Sequence, residues 1–132
     1  MKDYGPLFLR LAVGIVYAMH AYLALFVVTP AGTAAIMKQM GLLLPPLMAW
    51  IVIVVHGLGG IMLFLGLWTR WAAAANAAAM LPALVLVHLP EGFFLKVTAG
   101  GTRVGGFEFV LLLLGATVAL IFTGSGAWAV RR

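Results

Sequence analysis

Three histidines and one glutamate lie within the long apolar runs of this sequence. They are His20, His56, His88 and Glu108. A polar group in an apolar medium is costly unless it finds a hydrogen-bonding or ionic partner. Histidine has an unperturbed pKa of about 6.5, so it can exchange protons near neutral pH, and it is also a common metal ligand. These residues therefore predict a polar cluster that handles protons or holds a cofactor within apolar surroundings.

The elements that must position these side chains are four apolar runs, over residues 6–28, 47–68, 71–89 and 107–123. Hydrophobic types make up 65% of the chain and charged types only 8%, whereas a soluble domain averages about 25% charged residues. Crossing a bilayer takes about 20 residues, within a range of roughly 17–25, and each span must be helical because lipid satisfies no backbone groups. The pattern predicts an all-α integral membrane protein, a four-helix bundle forming one domain over residues 1–132. The first run is longer than the h-region of a signal peptide, about 7–15 residues, so we expect a retained helix.

The distribution of charge favours a membrane surface as the partner and argues against nucleic acid. The net charge is +5, and the cations stand singly near the ends of the apolar runs apart from the adjacent Arg131 and Arg132, which suits loops that face anionic lipid headgroups. Lys2, Arg70, Arg131 and Arg132 fall on one side, with Arg10 nearby, against Lys38, Lys96 and Arg103 on the other. This bias predicts that both termini are cytoplasmic. Cysteine is absent, which excludes disulfides and thiolate metal sites.

Depth along the predicted helices brings the four titratable residues to a common level. At about 1.5 Å per residue they lie at roughly 16–26 Å from the cytoplasmic ends, in the outer half of the bundle. Polar residues inside a membrane usually face the bundle interior and pair with one another. We therefore expect His56 to meet an imidazole or carboxylate from a neighbouring helix. Tyr17 shares a helix face with His20 at i, i+3 and can join this network, as can Glu91 in the outer loop.

Three interpretations of the cluster remain open at this point. The first is a set of interhelical hydrogen bonds that only fixes packing. The second is a site for a quinone headgroup, where histidine and glutamate would handle protons. The third is a haem b or metal site ligated by two histidines from different helices, His20 and His56, as four-helix bundles can provide. The chain has no HxxxH or ExxH spacing and only three acidic residues, so self-contained hydrolytic chemistry is not expected.

Two further residues carry predictions about the bundle. Arg10 stands in the first turns of an apolar helix. It either snorkels to the headgroups or turns inward to bind a carbonyl, an anionic group or a partner subunit, with Asn76 as a candidate partner. Pro82 lies inside the third span, where it should kink the helix and open space beside His88.

Several segments together resemble the DoxX family of small four-helix membrane proteins. They are RLAVGIVYAMHAYLALF, the block GGIMLFLGLWTR that ends at Arg70, HLPEGFF, and the Gly106–Phe107–Glu108 entry to the last helix. The resemblance extends over residues 9–126. Two departures stand out: the family's lysine after the first-helix histidine is missing beyond His20, and His56 occupies the place where a glutamate is usual.

The resemblance implies a multi-pass protein of the prokaryotic inner membrane that works in a redox assembly. The family's namesake is the small subunit of an archaeal thiosulfate:quinone oxidoreductase. We therefore expect a subunit of a respiratory or redox complex, quinone-linked, with a site formed by His20, His56, His88, Glu108, Tyr17 and Arg10. If the complex is an enzyme, it is a quinone-dependent oxidoreductase whose other subunits act on the substrate. The alternative is a non-catalytic membrane anchor or assembly subunit.

Overall fold

The computed structural model describes residues 3–97, 99 and 103–131 and has the predicted all-α membrane architecture. Its α-helices are α1 (Tyr4–Tyr22), α2 (Pro30–Gln39), α3 (Pro45–Leu65), α4 (Thr69–Pro82) and α5 (Glu108–Thr123). Two short antiparallel strands, β1 (Lys96–Val97) and β2 (Arg103–Val104), precede α5, with Lys96 opposite Val104. The prediction of an all-α membrane bundle is confirmed.

Within the described part of the chain, three helical stretches are long and apolar enough to cross a membrane: Tyr4–Val27, Pro45–Leu65 and Thr69–Glu91. The fourth predicted span corresponds to α5, which has 16 residues, slightly fewer than the usual minimum of about 17. Its crossing of the bilayer stays a prediction. So does the cytoplasmic location of the termini, and two of the charges used for it, Lys2 and Arg132, lie outside the described residues.

Helix α2 lies between the first two predicted spans, in a stretch whose prolines and polar residues do not predict a helix. Pro30 occupies the first turn, where its missing N–H is not needed and its fixed φ favours a helix. The Thr29 side chain accepts a hydrogen bond from the amide of Gly32 at 3.3 Å and caps the helix. The Thr33 hydroxyl donates to the carbonyl of Ala24 at 3.2 Å. The Thr33 bond holds α2 against the segment Leu23–Val27 that follows α1. We call the end of the bundle that carries this segment and α2 the loop end.

Two spans change from α to π geometry near the loop end. The segment Leu23–Val27 continues α1, and Ala83–His88 continues α4 directly after Pro82. Proline lacks the N–H that an α-helix would use and crowds the preceding turn, so a local change to wider geometry has an identifiable cause. The predicted disturbance at Pro82 thus takes the form of a π-helical segment, and Pro82 and His88 line a common cavity.

Helices α1 and α3 cross with their backbones in direct contact. A Cβ atom on Gly14 would lie 2.7 Å from the Phe64 amide nitrogen, and one on Gly60 would lie 2.6 Å from the Ala18 nitrogen. Small residues permit this approach, which stabilises helix pairs in lipid by packing. The crossing fixes how far apart the side chains of the two helices stand.

The Arg10 side chain turns inward and ties α1 to the other end of the bundle. It is 2% exposed. Its Nε donates to the Ser125 carbonyl at 2.8 Å, Nη1 donates to the carbonyls of Leu63 (3.2 Å) and Phe64, and Nη2 donates to those of Ala127 (3.0 Å) and Trp128 (3.1 Å). A guanidinium has five N–H donors, and all five have an acceptor here. The snorkelling alternative and the pairing with Asn76 were both wrong, because the ends of α3 and of the chain offer free carbonyls where Arg10 lies.

The chain after α5 packs across this end, which we call the terminal end. Ala127 donates its amide to Asp3 (2.8 Å), Val130 to Leu65 (3.1 Å), and Trp68 to Arg131 (3.0 Å), each through backbone groups. Gly66 ends α3 at a φ of 72°, and a Cβ there would lie 3.0 Å from Cζ of Arg10. Glycine at this position therefore allows both the turn and the approach of the guanidinium.

Replacing Arg10 by lysine tests the five-bond arrangement. Lysine keeps the charge but offers three donors without the planar fork, so at least two carbonyls lose their partner. We expect the free energy of unfolding in detergent micelles to fall by about 2–4 kcal/mol, and residues 124–131 to become sensitive to protease. Arg70→Lys is the control, since Arg70 is exposed and makes one bond at 3.3 Å within the described chain; we expect a change of about 0.5 kcal/mol or less. Equal losses in both variants would contradict the role given to Arg10.

Gly60→Ala tests the helix crossing. The added methyl would overlap the backbone of α1, so we expect a loss of about 2 kcal/mol or more in unfolding free energy. Gly115→Ala in α5 is the matched control, because no atom lies within 4 Å of the added Cβ, and alanine favours helix by up to about 1 kcal/mol. Unfolding in a mild detergent compares the two; a stable Gly60→Ala variant would mean that the helices do not touch there.

Candidate functional site

A cavity of about 350 Å³ lies in the loop-end half of the bundle. It is lined by Tyr17 and His20 of α1, His56 of α3, and His88 at the end of the π-helical segment. We call it the histidine cavity. The remaining lining is mainly apolar, including Met37, Val52, Met80, Phe109 and Leu113. Small-molecule sites typically measure about 300–1,000 Å³ and combine apolar walls with a few polar groups. The structure thus brings four of the six predicted side chains to one cavity.

The buried His56 is oriented by an amide on α4. Its Nδ1 lies 2.9 Å from Oδ1 of Asn76, whose Nδ2 donates to the Ala72 carbonyl at 2.8 Å. Because the amide oxygen can only accept, Nδ1 of His56 must carry the proton. In the neutral imidazole, Nε2 is then an unprotonated acceptor. The expectation that His56 pairs with an imidazole or a carboxylate was wrong, since an amide takes that place.

His20 and His88 stand in different environments. His20 is exposed, its Nδ1 donates to the Val16 carbonyl at 2.9 Å, and its ring stacks on Phe109 with centroids 6.4 Å apart. Because it is both exposed and in the cavity lining, it lies at the cavity's edge. Nδ1 of His88 is buried and has no hydrogen-bond partner among the described residues. Each imidazole therefore keeps at least one ring nitrogen available for a ligand.

Tyr17 supports the cavity from inside the bundle. Its hydroxyl lies 2.9 Å from Oγ1 of Thr117, which itself donates to the Leu113 carbonyl at 2.7 Å. The Tyr17 hydroxyl is therefore the donor to Thr117. Its ring lies 4.8 Å from the His56 ring, measured between centroids. Tyr17 thus presents its ring to the cavity while its hydroxyl is used for packing α1 against α5.

Glu108 and Arg10 do not line the histidine cavity. Oε1 of Glu108 accepts a hydrogen bond from the Leu95 amide at 3.0 Å, so this carboxylate fastens the connection before α5. Arg10 is held at the terminal end by backbone carbonyls. Glu91, which was expected to be able to join, is exposed and also lies outside this lining. Depth alone could not distinguish a carboxylate facing the cavity from one bound to a loop.

Two polar residues that orient the site were not predicted in these roles. Asn76 is the one amide in an alanine-rich helix, and Thr117 is a hydroxyl in an apolar helix. Gly59 lies opposite Asn76, where a Cβ atom would overlap the amide nitrogen. The sequence shows each of them as an isolated polar residue in an apolar span. It does not show which side chain each one meets, because this depends on the rotation of the helices about their axes.

The described residues contain no group of three or more histidine, cysteine, aspartate or glutamate side chains able to hold a metal ion. The three cavity histidines are therefore spread around the space rather than gathered on one point. This arrangement suits a ligand that is touched from several sides. Haem would need only two histidine ligands, so the absence of a three-residue group among the described residues does not bear on it.

Comparison with known proteins assigns the chain to a family. The model of the DoxX family matches residues 5–89. A curated relative, "Putative oxidoreductase CatD" from Bacillus subtilis (strain 168), is 31% identical over 123 residues, which are 93% of this chain and 81% of that protein. The chain belongs to the DoxX family. This confirms the resemblance noted from the sequence.

The match with the DoxX model includes the main polar lining of the histidine cavity. Tyr17, His20, His56 and His88 all fall within residues 5–89, whereas α5 lies beyond them. Together with the apolar helices, the DoxX assignment makes the chain a multi-pass membrane protein. No solved structure matches it.

Asn76→Ala tests the orientation of His56. Without the amide, Nδ1 of His56 loses its acceptor, so we expect the imidazole to leave the Nδ1–H tautomer and the free energy of unfolding to fall by about 1–3 kcal/mol. ¹⁵N NMR of histidine-labelled protein reports the tautomer directly. Thr123→Ala is the control, because the exposed Thr123 hydroxyl bonds only to Ala119 of its own helix among the described residues. A His56 that keeps its Nδ1 proton in the Asn76→Ala variant would show that Asn76 does not direct it.

Proposed function

We propose that this DoxX protein is a membrane subunit of a redox complex and that its histidine cavity binds the headgroup of a quinone. The observation that carries the proposal is the convergence of three imidazoles from three helical segments on one mainly apolar cavity. A quinone headgroup is a flat apolar ring with two carbonyl oxygens, so it needs apolar walls and a small number of hydrogen-bonding groups. The carbonyl oxygens of a quinone would accept from an imidazole N–H, which His88 or a protonated histidine can provide, and the hydroxyls of the reduced quinol would donate to the unprotonated Nε2 of His56 or His20.

The hydrogen bonds of the cavity support a role in proton transfer. When bound, a quinone supplies two-electron, two-proton chemistry, and its electrons would pass to or from another subunit. His56 donates Nδ1–H to Asn76, so Nε2 can accept a proton released by a quinol or return one to a quinone. His20 lies at the exposed edge and can exchange protons with the surroundings of the cavity. The neutral imidazole takes up the proton at Nε2 and the resulting imidazolium releases it, so histidine is suited to both directions of transfer.

A second candidate is haem b, ligated by His20 and His56. One observation favours it: metal-bound histidines usually donate their other ring N–H to a fixed acceptor, and both residues do so, to Val16 and Asn76. The cavity volume of about 350 Å³ favours the quinone, because one ring needs less space than a porphyrin.

The relative's name supports the redox assignment, since the Bacillus subtilis protein is named as an oxidoreductase. We propose that the chain works in the inner membrane of a prokaryote with both termini in the cytoplasm. Partner subunits would carry the chemistry on the substrate, because the described chain consists mainly of apolar helices. The cavity would then exchange reducing equivalents between those subunits and the quinone pool.

His56→Leu tests the quinone proposal. Leucine removes the buried ring nitrogens, so we expect quinone co-purified from bacterial membranes in mild detergent, measured per polypeptide after solvent extraction, to fall at least tenfold, equivalent to about 1.4 kcal/mol. Glu108→Gln is the control: the amide oxygen can still accept from Leu95 and the residue lies outside the cavity, so bound quinone should be retained.

Two results would overturn the proposal. A Soret absorption band in the purified protein that disappears in His56→Leu would favour haem. Absence of both quinone and haem, with His56→Leu still folded and assembled with its partners, would leave the role of a membrane anchor.

A further inference from the structure

A separate cavity, of about 380 Å³, lies at the terminal end of the bundle. We call it the terminal cavity. It is bounded by the start of α1, the turn into α4 and the chain after α5, and it shares no lining residue with the histidine cavity. Its polar members are Asp3, Thr69, Arg70, Thr123 and Ser125. The redox proposal uses none of them.

One side of the terminal cavity is built to receive an anion. Arg70 makes one hydrogen bond within the described chain, from Nη2 to the Phe122 carbonyl at 3.3 Å, which leaves most of its five donors free. Helix α4 begins beside it, and the amides of Thr69 and Arg70 have no acceptor among the described residues. First-turn amides and the positive end of the helix dipole favour negative charge.

The Thr69 hydroxyl gives an independent indication of a ligand. Thr69 is 1% exposed, and its buried Oγ1 has no hydrogen-bond partner among the described residues. Buried polar side-chain atoms are paired in the large majority of cases, so an unpaired one requires an explanation. A phosphate oxygen in the cavity would accept from this hydroxyl, from the adjacent amides and from Arg70 together.

The opposite side of the terminal cavity carries a carboxylate. Asp3 precedes α1, and its side chain makes no capping hydrogen bond. A carboxylate near an anion site disfavours a ligand with negative charge alone and favours one that also carries a cation. Trp68 and Trp71 line the cavity and are 49% and 78% exposed. Tryptophan typically lies at the depth of lipid headgroups, so we expect this cavity at that depth.

We propose that the terminal cavity binds the phosphoethanolamine headgroup of a membrane phospholipid. The phosphate is held by Arg70, the Thr69 hydroxyl and the first amides of α4, and the ammonium donates to the Asp3 carboxylate. Ethanolamine fits this arrangement better than choline, because a quaternary ammonium has no N–H to donate. The acyl chains leave past the exposed tryptophans into the bilayer.

Native mass spectrometry of the full chain in detergent tests the headgroup preference. We expect phosphatidylethanolamine to bind at least tenfold more tightly than phosphatidylglycerol, phosphatidylcholine or inorganic phosphate. Equal or tighter binding of phosphatidylglycerol would overturn the assignment of the ammonium to Asp3. Equal binding of inorganic phosphate would show a simple anion site and overturn the phospholipid proposal.

Four variants separate the site from general attraction to lipid. We expect Arg70→Gln to weaken phosphatidylethanolamine binding at least tenfold, and Asp3→Asn to abolish its preference over phosphatidylglycerol. Thr69→Val should weaken binding about fivefold while the unfolding midpoint in lipid-free detergent stays the same or rises, because an unpaired hydroxyl is removed. Arg131→Gln is the control: it removes the same charge, but this guanidinium lies 5.1 Å over the Trp68 ring and outside the cavity lining.

Unchanged binding in both Thr69→Val and Arg70→Gln would overturn the proposal. So would an Arg131→Gln loss as large as that of Arg70→Gln, since this would mean that surface charge alone attracts the lipid.

Discussion

The rest of the bundle depends on the hydrogen bonds that the buried Arg10 guanidinium donates to five backbone carbonyls. A guanidinium inside a membrane protein is costly unless its donors are paired, and the carbonyls at the end of α3 and in the chain after α5 need donors of their own. One side chain meets both needs. This fixes α1, α3 and the last segment of the chain relative to one another at the terminal end.

The position of the histidine cavity follows from that fixed point. Tyr17 lies about two helical turns beyond Arg10 on α1, and His56 lies about two turns from Leu63 on α3. The backbone contact of Gly14 and Gly60 between them keeps the two helices close. The Tyr17 and His56 rings consequently meet at 4.8 Å, and the adjoining bonds to Thr117 and Asn76 extend the same support to α5 and α4. The distance between the cavity side chains at the loop end therefore depends on the Arg10 contacts at the terminal end and on the helix crossing between them.

The two ends of the bundle differ in what they offer a ligand. The loop end has apolar walls, imidazoles and a π-helical segment after Pro82 that widens the helix beside His88. The terminal end has a cation, an unpaired hydroxyl, a carboxylate and exposed tryptophans. Since neither set lines the other cavity, a redox ligand and a lipid headgroup would not compete for space. The proposed functions can thus be tested separately in one protein.

A few short motifs in order carried the resemblance to the DoxX family. Composition and spacing by themselves determined the membrane class, the main apolar spans, and which few polar residues lie in the loop-end half. These properties follow from the length and period of apolar runs, which the bilayer imposes on any chain. The tertiary structure decided the partners: Asn76 with His56 rather than with Arg10, Leu95 with Glu108, and carbonyls with Arg10. It also revealed α2, whose prolines and polar residues resembled a loop. Hydrogen-bond partners depend on helix rotation and on the backbone groups left free at helix ends, and the type of a single residue specifies neither.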